Sequence, residues 1–161
     1  MRAALATALT LCLAGPALAQ DRTVATYGDW SVRCENAPSR NCEAATVLST
    51  AENRPVAQLI VGRLNNQGPV LLLAHVGVLN VHLPAQLRLT LAGAPLNLVY
   101  QRCTPQGCFA SAELDEATLA RLRGEPAGAR MIFQDAGRQE ISLTLSLRGF
   151  AQAQAALSAR R

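Results

Sequence analysis

The sequence contains no lysine, and its aromatic residues make up only 4% of the chain. All 15 basic residues are therefore arginines, and they are scattered along the chain rather than grouped in one segment. Proteins that bind nucleic acid usually present a clustered basic face, so this distribution argues against nucleic acid as a partner. Because aromatic side chains are scarce, leucine and valine must supply most of the hydrophobic core.

Long hydrophobic runs are also missing after the N-terminal segment. A membrane-spanning helix needs about 20 consecutive apolar residues, whereas the most hydrophobic stretch, residues 71–83, is interrupted by His75, Asn80 and His82. Pro84 then closes this stretch. We therefore predict that the protein has no stable membrane insertion.

The motifs of common catalytic and cofactor sites are absent as well. The sequence has no G-x-S-x-G nucleophile turn, no H-E-x-x-H zinc motif and no glycine-rich phosphate loop. We accordingly assign no catalytic residue, no cofactor-binding residue and no metal ligand. The sequence predicts that the protein is not an enzyme and has no cofactor.

The first 19 residues have the three parts of a secretion signal. Arg2 supplies the positive charge, residues 3–13 are apolar, and Ala17-Leu18-Ala19 is a small-residue cleavage site. We expect cleavage before Gln20, which leaves residues 20–161 as one domain and lowers the net charge from +4 to +3. The expected location is the periplasm, or beyond it as a secreted or outer-membrane-associated protein.

Four cysteines remain after the leader, in two close pairs: Cys34 with Cys42, and Cys103 with Cys108. Three pairings are possible, and we favour these two disulfides because each pair flanks a turn. Disulfides persist in exported proteins, which agrees with the leader. A four-cysteine zinc site and a redox pair are the alternatives, although two residues usually separate the cysteines of such sites and these gaps are longer.

Short alternating segments separated by turn-forming residues predict many antiparallel strands. The predicted strands cover residues 27–34, 42–50, 56–64, 69–76, 87–91, 96–100, 108–112, 129–134 and 139–147, with a turn at residues 65–68. Short helices are predicted at residues 115–123 and 151–157. The expected fold class is mainly β: an antiparallel β-sandwich or barrel-like domain with one or two short accessory helices, clipped by disulfides.

Other side chains that could carry chemistry have simpler structural explanations. His75 and His82 are the only histidines, and in a leucine- and valine-rich stretch we expect them to be packed or hydrogen-bonded rather than metal ligands. The carboxylates of Glu113, Asp115 and Glu116 fit the start of a helix, where negative charge is favoured. Trp30 is expected to anchor the core rather than to form a ligand platform.

Two arginine pairs are the closest basic groupings in the chain. Arg121 and Arg123 fit the last turn of a helix, where positive charge is favoured. Arg160 and Arg161 form the C-terminal end of the sequence. Neither pair amounts to the basic face that a nucleic-acid site requires.

The order of several motifs resembles the invasion-associated locus B family of bacterial exported proteins. The resemblance rests on residues 27–34 (YGDWSVRC), on Leu83-Pro84, on residues 102–110 around the second cysteine pair, and on residues 146–150 (SLRGF). Ala85 stands where the family commonly has glycine after its central proline. The resemblance implies a periplasmic or surface protein of Gram-negative cells. Some members are linked to host-cell invasion, and no catalytic residues are established for the family.

From these observations we expect a non-enzymatic binding or interaction module of the cell envelope, with an envelope or host protein or ligand as its unidentified partner. Two alternatives stay open. One is a thiol–disulfide or envelope-stress protein that uses Cys103 and Cys108, and the other is an enzyme with an unfamiliar site. The sequence leaves the oligomeric state open.

Overall fold

The computed structural model describes residues 22–35, 41–64, 68–77, 81–125 and 128–159. The predicted leader, most of the turn at residues 65–68 and the pair Arg160-Arg161 lie outside the described residues. Besides a short 3₁₀ helix at Leu83–Ala85, the described part of the chain contains ten strands and two α-helices. They are β1 Arg22–Tyr27, β2 Trp30–Cys34, β3 Cys42–Ser49, β4 Pro55–Gly62, β5 Val70–Val76, β6 Leu87–Thr90, β7 Leu96–Thr104, β8 Gly107–Leu114, α1 Glu116–Gly124, β9 Ala129–Gln134, β10 Glu140–Leu145 and α2 Phe150–Ser158.

All strand pairs are antiparallel and form one sheet in the order β1-β2-β3-β4-β5-β8-β7-β6-β9-β10. Strand β7 divides its pairing, because its first residues pair with β6 and its later residues pair with β8. The sheet curls, and the indole Nε1 of Trp30 in β2 donates to the carbonyl of Ser146, just after β10, at 3.0 Å. The predicted mainly antiparallel β fold with two short helices is confirmed.

Alternating side chains on the inner face of the sheet build the core. Strand β5 shows the pattern, with Val70, Leu72, Ala74 and Val76 buried and the residues between them half-buried on the outer face. The ring of Trp30 packs edge-on against Phe150 of α2, with 4.9 Å between the ring centroids. The expectation that Trp30 anchors the core is therefore confirmed, since it is 1% exposed.

Both helices cover the core and begin at recognisable N-caps. The side chain of Asp115 accepts a hydrogen bond from the backbone N–H of Thr118 at 2.7 Å, which satisfies a donor at the start of α1. Helix α2 follows Gly149, whose φ of 91° lies in the left-handed region that glycine adopts without strain.

The start of the sheet differs from the sequence prediction. Residues 27–34 were expected to form a single strand, but β1 ends at Tyr27 and β2 begins at Trp30. Gly28 has a φ of 54°, which ends the extended conformation and allows a tight turn. Strand β1 is thus a further edge strand that the turn-and-alternation pattern did not reveal.

None of the helices within the described residues is long and apolar enough to cross a membrane.

Candidate functional site

Two disulfides staple two hairpins of the sheet. Cys34 and Cys42 are direct partners in the β2–β3 register, with an S–S distance of 2.07 Å. Cys103 and Cys108 are direct partners in the β7–β8 register, with an S–S distance of 2.02 Å. Within the described part of the chain, no group of three or more His, Cys, Asp or Glu residues is placed to hold a metal ion.

The two histidines have separate surroundings. The Nε2 atom of His75 lies 3.0 Å from the carbonyl oxygen of Gln106, and its ring stacks on the ring of Phe109. His82 lies beyond β5, and its backbone N–H donates to the carbonyl of Gln134 at 2.8 Å. The structure therefore gives the two histidines different neighbours.

The acidic cluster at the start of α1 serves the helix. Hydrogen bonds from Thr118, first among the causes, hold the pKa of Asp115 below its ordinary value. Glu116 forms an ion pair with Arg123. Glu113 is exposed at the end of β8. These contacts account for Asp115 and Glu116 by local structure.

The arginine pair on α1 also makes local contacts. Arg121 donates from Nε to the carbonyl of Ala92 at 3.0 Å and from Nη2 to the carbonyl of Ala94. The Nη1 atom of Arg123 lies 3.3 Å from the Oε1 of Gln154. Arg121 therefore ties the loop before β7 to the last turn of α1, and Arg123 links the two helices.

A cationic and aromatic group on the outer face is the first candidate site, and we call it the stacked cluster: His75, Phe109 and Arg102. These residues face one another across β5, β8 and β7, because His75 pairs with Phe109 and Phe109 pairs with Arg102. The His75 and Phe109 rings are nearly parallel, 11° apart, with 4.5 Å between centroids. The Cζ of Arg102 lies 5.2 Å from the centroid of Phe109. Phe109 is thus held by side chains from the strands on both sides.

A depression of about 310 Å³ borders the stacked cluster. Its lining includes Leu83 and Val99, which are 48% and 50% exposed, together with Tyr100 and Arg102. The Tyr100 hydroxyl is buried and has no hydrogen-bond partner among the described residues. Loss of hydration on burial raises the pKa of Tyr100 to about 12. The surface therefore combines exposed apolar side chains with aromatic and arginine groups.

Sequence reasoning did not single out Phe109, Arg102 or Val99 as site residues. The available signal was the period of two in β7, which places Val99 on the face opposite the buried Leu98. That signal gives the face of a strand but not the neighbouring strand. The pairing of β5 with β8 joins distant segments, and it brings His75 to Phe109.

A second feature lies nearer the Cys34–Cys42 disulfide, and we call it the outer groove. It is a cavity of about 270 Å³ with an apolar lining of Ile60, Leu64, Leu71 and Leu73, and with Gly62 among them. Gly62 has no side chain, which leaves room between its neighbours. The charged residues that line the groove are Arg33, Glu35, Glu43 and Arg63.

A third cleft, of about 410 Å³, lies beside the contact between the β1–β2 turn and the end of β10. Its lining includes Asp29, Gln58, Thr144 and Ser146. Asp29 is engaged by Arg148 and Ser146, and these hydrogen bonds lower its pKa, with Arg148 as the larger cause. This cleft is therefore associated with a contact that closes the fold.

Comparison with known proteins relates the chain to one family. The family model described as Invasion associated locus B (IalB) protein matches residues 30–158. The chain is also similar to the crystal structure of invasion associated protein B from Bartonella henselae, with 25% identity and a TM-score of 0.70. That match covers 89% of this chain and 97% of that chain. No curated protein sequence matches the chain. Since the family model spans most of its length, this chain belongs to the invasion-associated locus B family.

Proposed function

We propose that this protein is an exported cell-envelope protein that acts as a non-enzymatic interaction module. In this proposal, the stacked cluster and the depression beside it contact a protein of the envelope or of a host cell. The observation that carries the proposal is the contact of Arg102 with the ring of Phe109 beside a depression that Arg102 lines together with Val99, which is 50% exposed.

The composition of this surface suits protein recognition. Arginine and aromatic residues are enriched in protein interfaces and supply much of their binding energy. Val99 and Leu83 add apolar area that a partner would cover. A single exposed apolar residue is ordinary on a protein surface, but here two of them border the same depression as Arg102.

The rigidity of the surface supports the same role. Cys103 and Cys108 join β7 to β8 immediately beside Arg102 and Phe109. The imidazole of His75 stacks on Phe109 and also contacts the Gln106 carbonyl of the β7–β8 turn. A side chain held in one conformation before binding loses less entropy when the partner arrives. Phe109 is therefore suited to act as a pre-positioned anchor.

The local contacts of three described carboxylates agree with a non-enzymatic role. Asp29 is bound to Arg148, Asp115 caps α1, and Glu116 is paired with Arg123. A catalytic acid or base must be free to exchange a proton with a substrate. These carboxylates are instead engaged in local contacts that hold the fold together.

Export is supported by three agreeing features. The N-terminal residues have the pattern of a secretion signal, and the described cysteines form two disulfides. Such disulfides are typical of oxidising compartments such as the periplasm. The family resemblance also implies exported bacterial proteins.

Export can be tested by intact mass. Protein from its own host would be alkylated without reductant, and a second sample would be alkylated after reduction. We expect a start at Gln20, no alkylation of the native sample and four alkylations after reduction. A retained leader or free thiols in the native sample would contradict the export and disulfide assignments.

The interaction surface can be tested by photo-crosslinking in living cells. A photoreactive amino acid at Val99 should capture one partner protein, whereas the same group at Val24, a control that is 37% exposed on β1, should not. Arg102→Glu should abolish capture from position 99. Equal capture from both positions, or capture that survives Arg102→Glu, would refute the assignment of this surface. Reproducible turnover of a small substrate by the pure protein would refute the non-enzymatic role.

A further inference from the structure

We infer that the outer groove is a self-association site, in which two copies of this chain meet and each inserts Leu64 into the groove of the other. The groove is separate from the stacked cluster. On β5 its residue Leu71 and the cluster residue His75 are four positions apart on the same face, which corresponds to about 13 Å along the strand.

The groove has the shape of a receptor for an aliphatic side chain. Ile60 and Gly62 alternate with the buried Leu59 and Val61, so they lie on the outer face of β4. Their partners on β5 are Leu73 and Leu71. A dry protein cavity of about 150 Å³ can hold a benzene molecule. The groove, at about 270 Å³, therefore has room for the smaller side chain of a leucine.

The complementary projection lies on the rim of the same groove. Leu64 is 72% exposed, which is the highest value among the exposed large hydrophobic residues of the described chain. It is the second residue after the end of β4 and contributes to the lining of the groove. A two-fold axis next to Leu64 would place this side chain of each copy over the groove of the other. Such an isologous contact is the commonest way in which identical chains associate.

The charges around the groove fit a second copy better than they fit a small ion. Among the described residues that line the groove, Arg33 and Arg63 are balanced by Glu35 and Glu43. A rim of mixed sign favours self-association, because two copies of a surface with a large net charge would repel each other. A site for an anionic or cationic ligand would instead carry an excess of the opposite sign.

Arg63 is the rim cation that remains available to a partner. Arg33 is held in an ion pair with Glu43, its direct partner across β2 and β3. Arg63 donates to the backbone carbonyl of Gly68 and forms no ion pair among the described residues. Its charge is thus available to a carboxylate of the other copy.

Sedimentation velocity of the purified, disulfide-bonded protein tests this inference. We expect a concentration-dependent monomer–dimer equilibrium, and Leu64→Asp should raise the dissociation constant about 100-fold or more, because a symmetric dimer loses the contact twice. Leu64 is exposed, so the variant should keep the circular dichroism and melting temperature of the parent. Val99→Asp is the matched control at another exposed aliphatic residue and should leave the equilibrium unchanged.

Arg63→Glu gives an independent test through charge. It converts a balanced rim into one with net negative charge, so dimers should weaken, and added salt should restore part of the affinity. A protein that stays monomeric at all concentrations would overturn the inference, as would dimers that resist Leu64→Asp or are broken equally by Val99→Asp. Loss of crosslinking at Val99 with dimers intact would instead refute only the proposed partner surface.

Discussion

Asp29 and Arg148 are bound at two points although they lie 119 positions apart in the sequence. The Nη2 of Arg148 lies 2.6 Å from Oδ1 of Asp29, and its Nε lies 3.2 Å from Oδ2. The backbone N–H of Asp29 also donates to the carbonyl of Arg148 at 3.0 Å. Together these bonds join the β1–β2 turn to the segment between β10 and α2.

The Asp29–Arg148 contact should make stability depend on acid. Hydrogen bonds from Arg148 and then Ser146 lower the pKa of Asp29 from 3.8 in the folded protein. A carboxyl group with a lowered pKa in the folded state stabilises the fold at pH values above its pKa in the unfolded chain. This contribution is lost as the pH falls below about 4. We expect Asp29→Asn to melt at a lower temperature than the parent at neutral pH and to lose less stability on acidification.

The measurement is the melting temperature of both proteins between about pH 2 and pH 7. Glu113→Gln at the end of β8 is a useful control, because Glu113 is an exposed carboxylate on a strand that takes no part in the closing contact. If the melting temperatures of Asp29→Asn and the parent changed in parallel over the whole pH range, the assigned role would be contradicted.

Tyr100 should make the stability of the fold decrease as the pH rises, in the alkaline range. Burial raises its pKa from 10.0 to about 12, so the unfolded chain loses the phenolic proton first. Stability should therefore fall as the pH rises from about 10 toward 12. Tyr100→Phe should remove that part of the alkaline loss. It should also raise stability at neutral pH by about 1 kcal/mol, because it deletes a buried hydroxyl without a partner.

Urea denaturation at neutral and alkaline pH checks the Tyr100 prediction, and absorbance of the phenolate during titration reports its pKa directly. Tyr27 is the only other tyrosine in the sequence, so Tyr27→Phe allows the two titrations to be separated. A Tyr100 that titrates near 10 in the folded protein would show that the hydroxyl is hydrated.

Gly149 should be among the least replaceable residues of the fold. Its φ is 91°, and a Cβ at this position would lie 1.8 Å from the carbonyl oxygen of Tyr27. We expect Gly149→Ala to destabilise the protein by at least about 2 kcal/mol, since it combines backbone strain with a clash against the main chain.

Gly124→Ala provides the matched control for Gly149→Ala. Gly124 is the last residue of α1, and a Cβ there meets no atom within 4 Å. The change should be neutral or stabilising by up to about 1 kcal/mol, because alanine favours the helix. Chemical denaturation compares both variants with the parent, and similar losses in the two would disprove the close-approach explanation.

Each disulfide should contribute moderately to stability. The two bridges close short loops, with sequence separations of 8 and 5, and constraining such loops in the unfolded chain is worth about 2–2.5 kcal/mol. We expect Cys34→Ser with Cys42→Ser, and Cys103→Ser with Cys108→Ser, each to lower the free energy of unfolding by about that amount. The rest of the sheet should still fold cooperatively.

Chemical denaturation of the variants and of the parent, with and without reductant, measures the contribution of each disulfide to the free energy of unfolding. The loss on reduction of the parent should approach the sum of the two contributions. A cysteine pair whose removal leaves stability unchanged would point to a role other than stapling. For Cys103 and Cys108, that result would support the thiol–disulfide alternative.

The sequence predicted those parts of the fold that depend on local periodicity. Leu87 and Leu89 alternate with polar residues, and both are fully buried. Asp115 was recognised as the start of a helix because a carboxylate followed by a good helix former is a local signal. The break between β1 and β2 was missed because residues on both sides of Gly28-Asp29 are compatible with extended structure.

The candidate site depends on relationships that local patterns do not contain. His75 meets Phe109 only because β5 pairs with β8, although β6 and β7 lie between these two strands in the sequence. The register of β7 against β8 also shifts between Tyr100 and Arg102, and this irregularity brings Arg102 opposite Phe109. A period of two predicts neither the choice of neighbouring strand nor a bulge.

The strand order also has a consequence for the folding pathway. Strands β1 to β5 pair with their neighbours in sequence, whereas the second edge of β5 pairs with β8, which comes three strands later in the chain. Strand β5, VLLLAHV, contains neither proline nor a formally charged residue, which is the composition that favours aggregation when an edge is open. Until β8 arrives, folding molecules expose this edge to one another. Aggregation of partly folded chains should therefore limit the yield of refolding more than the stability of the folded sheet does.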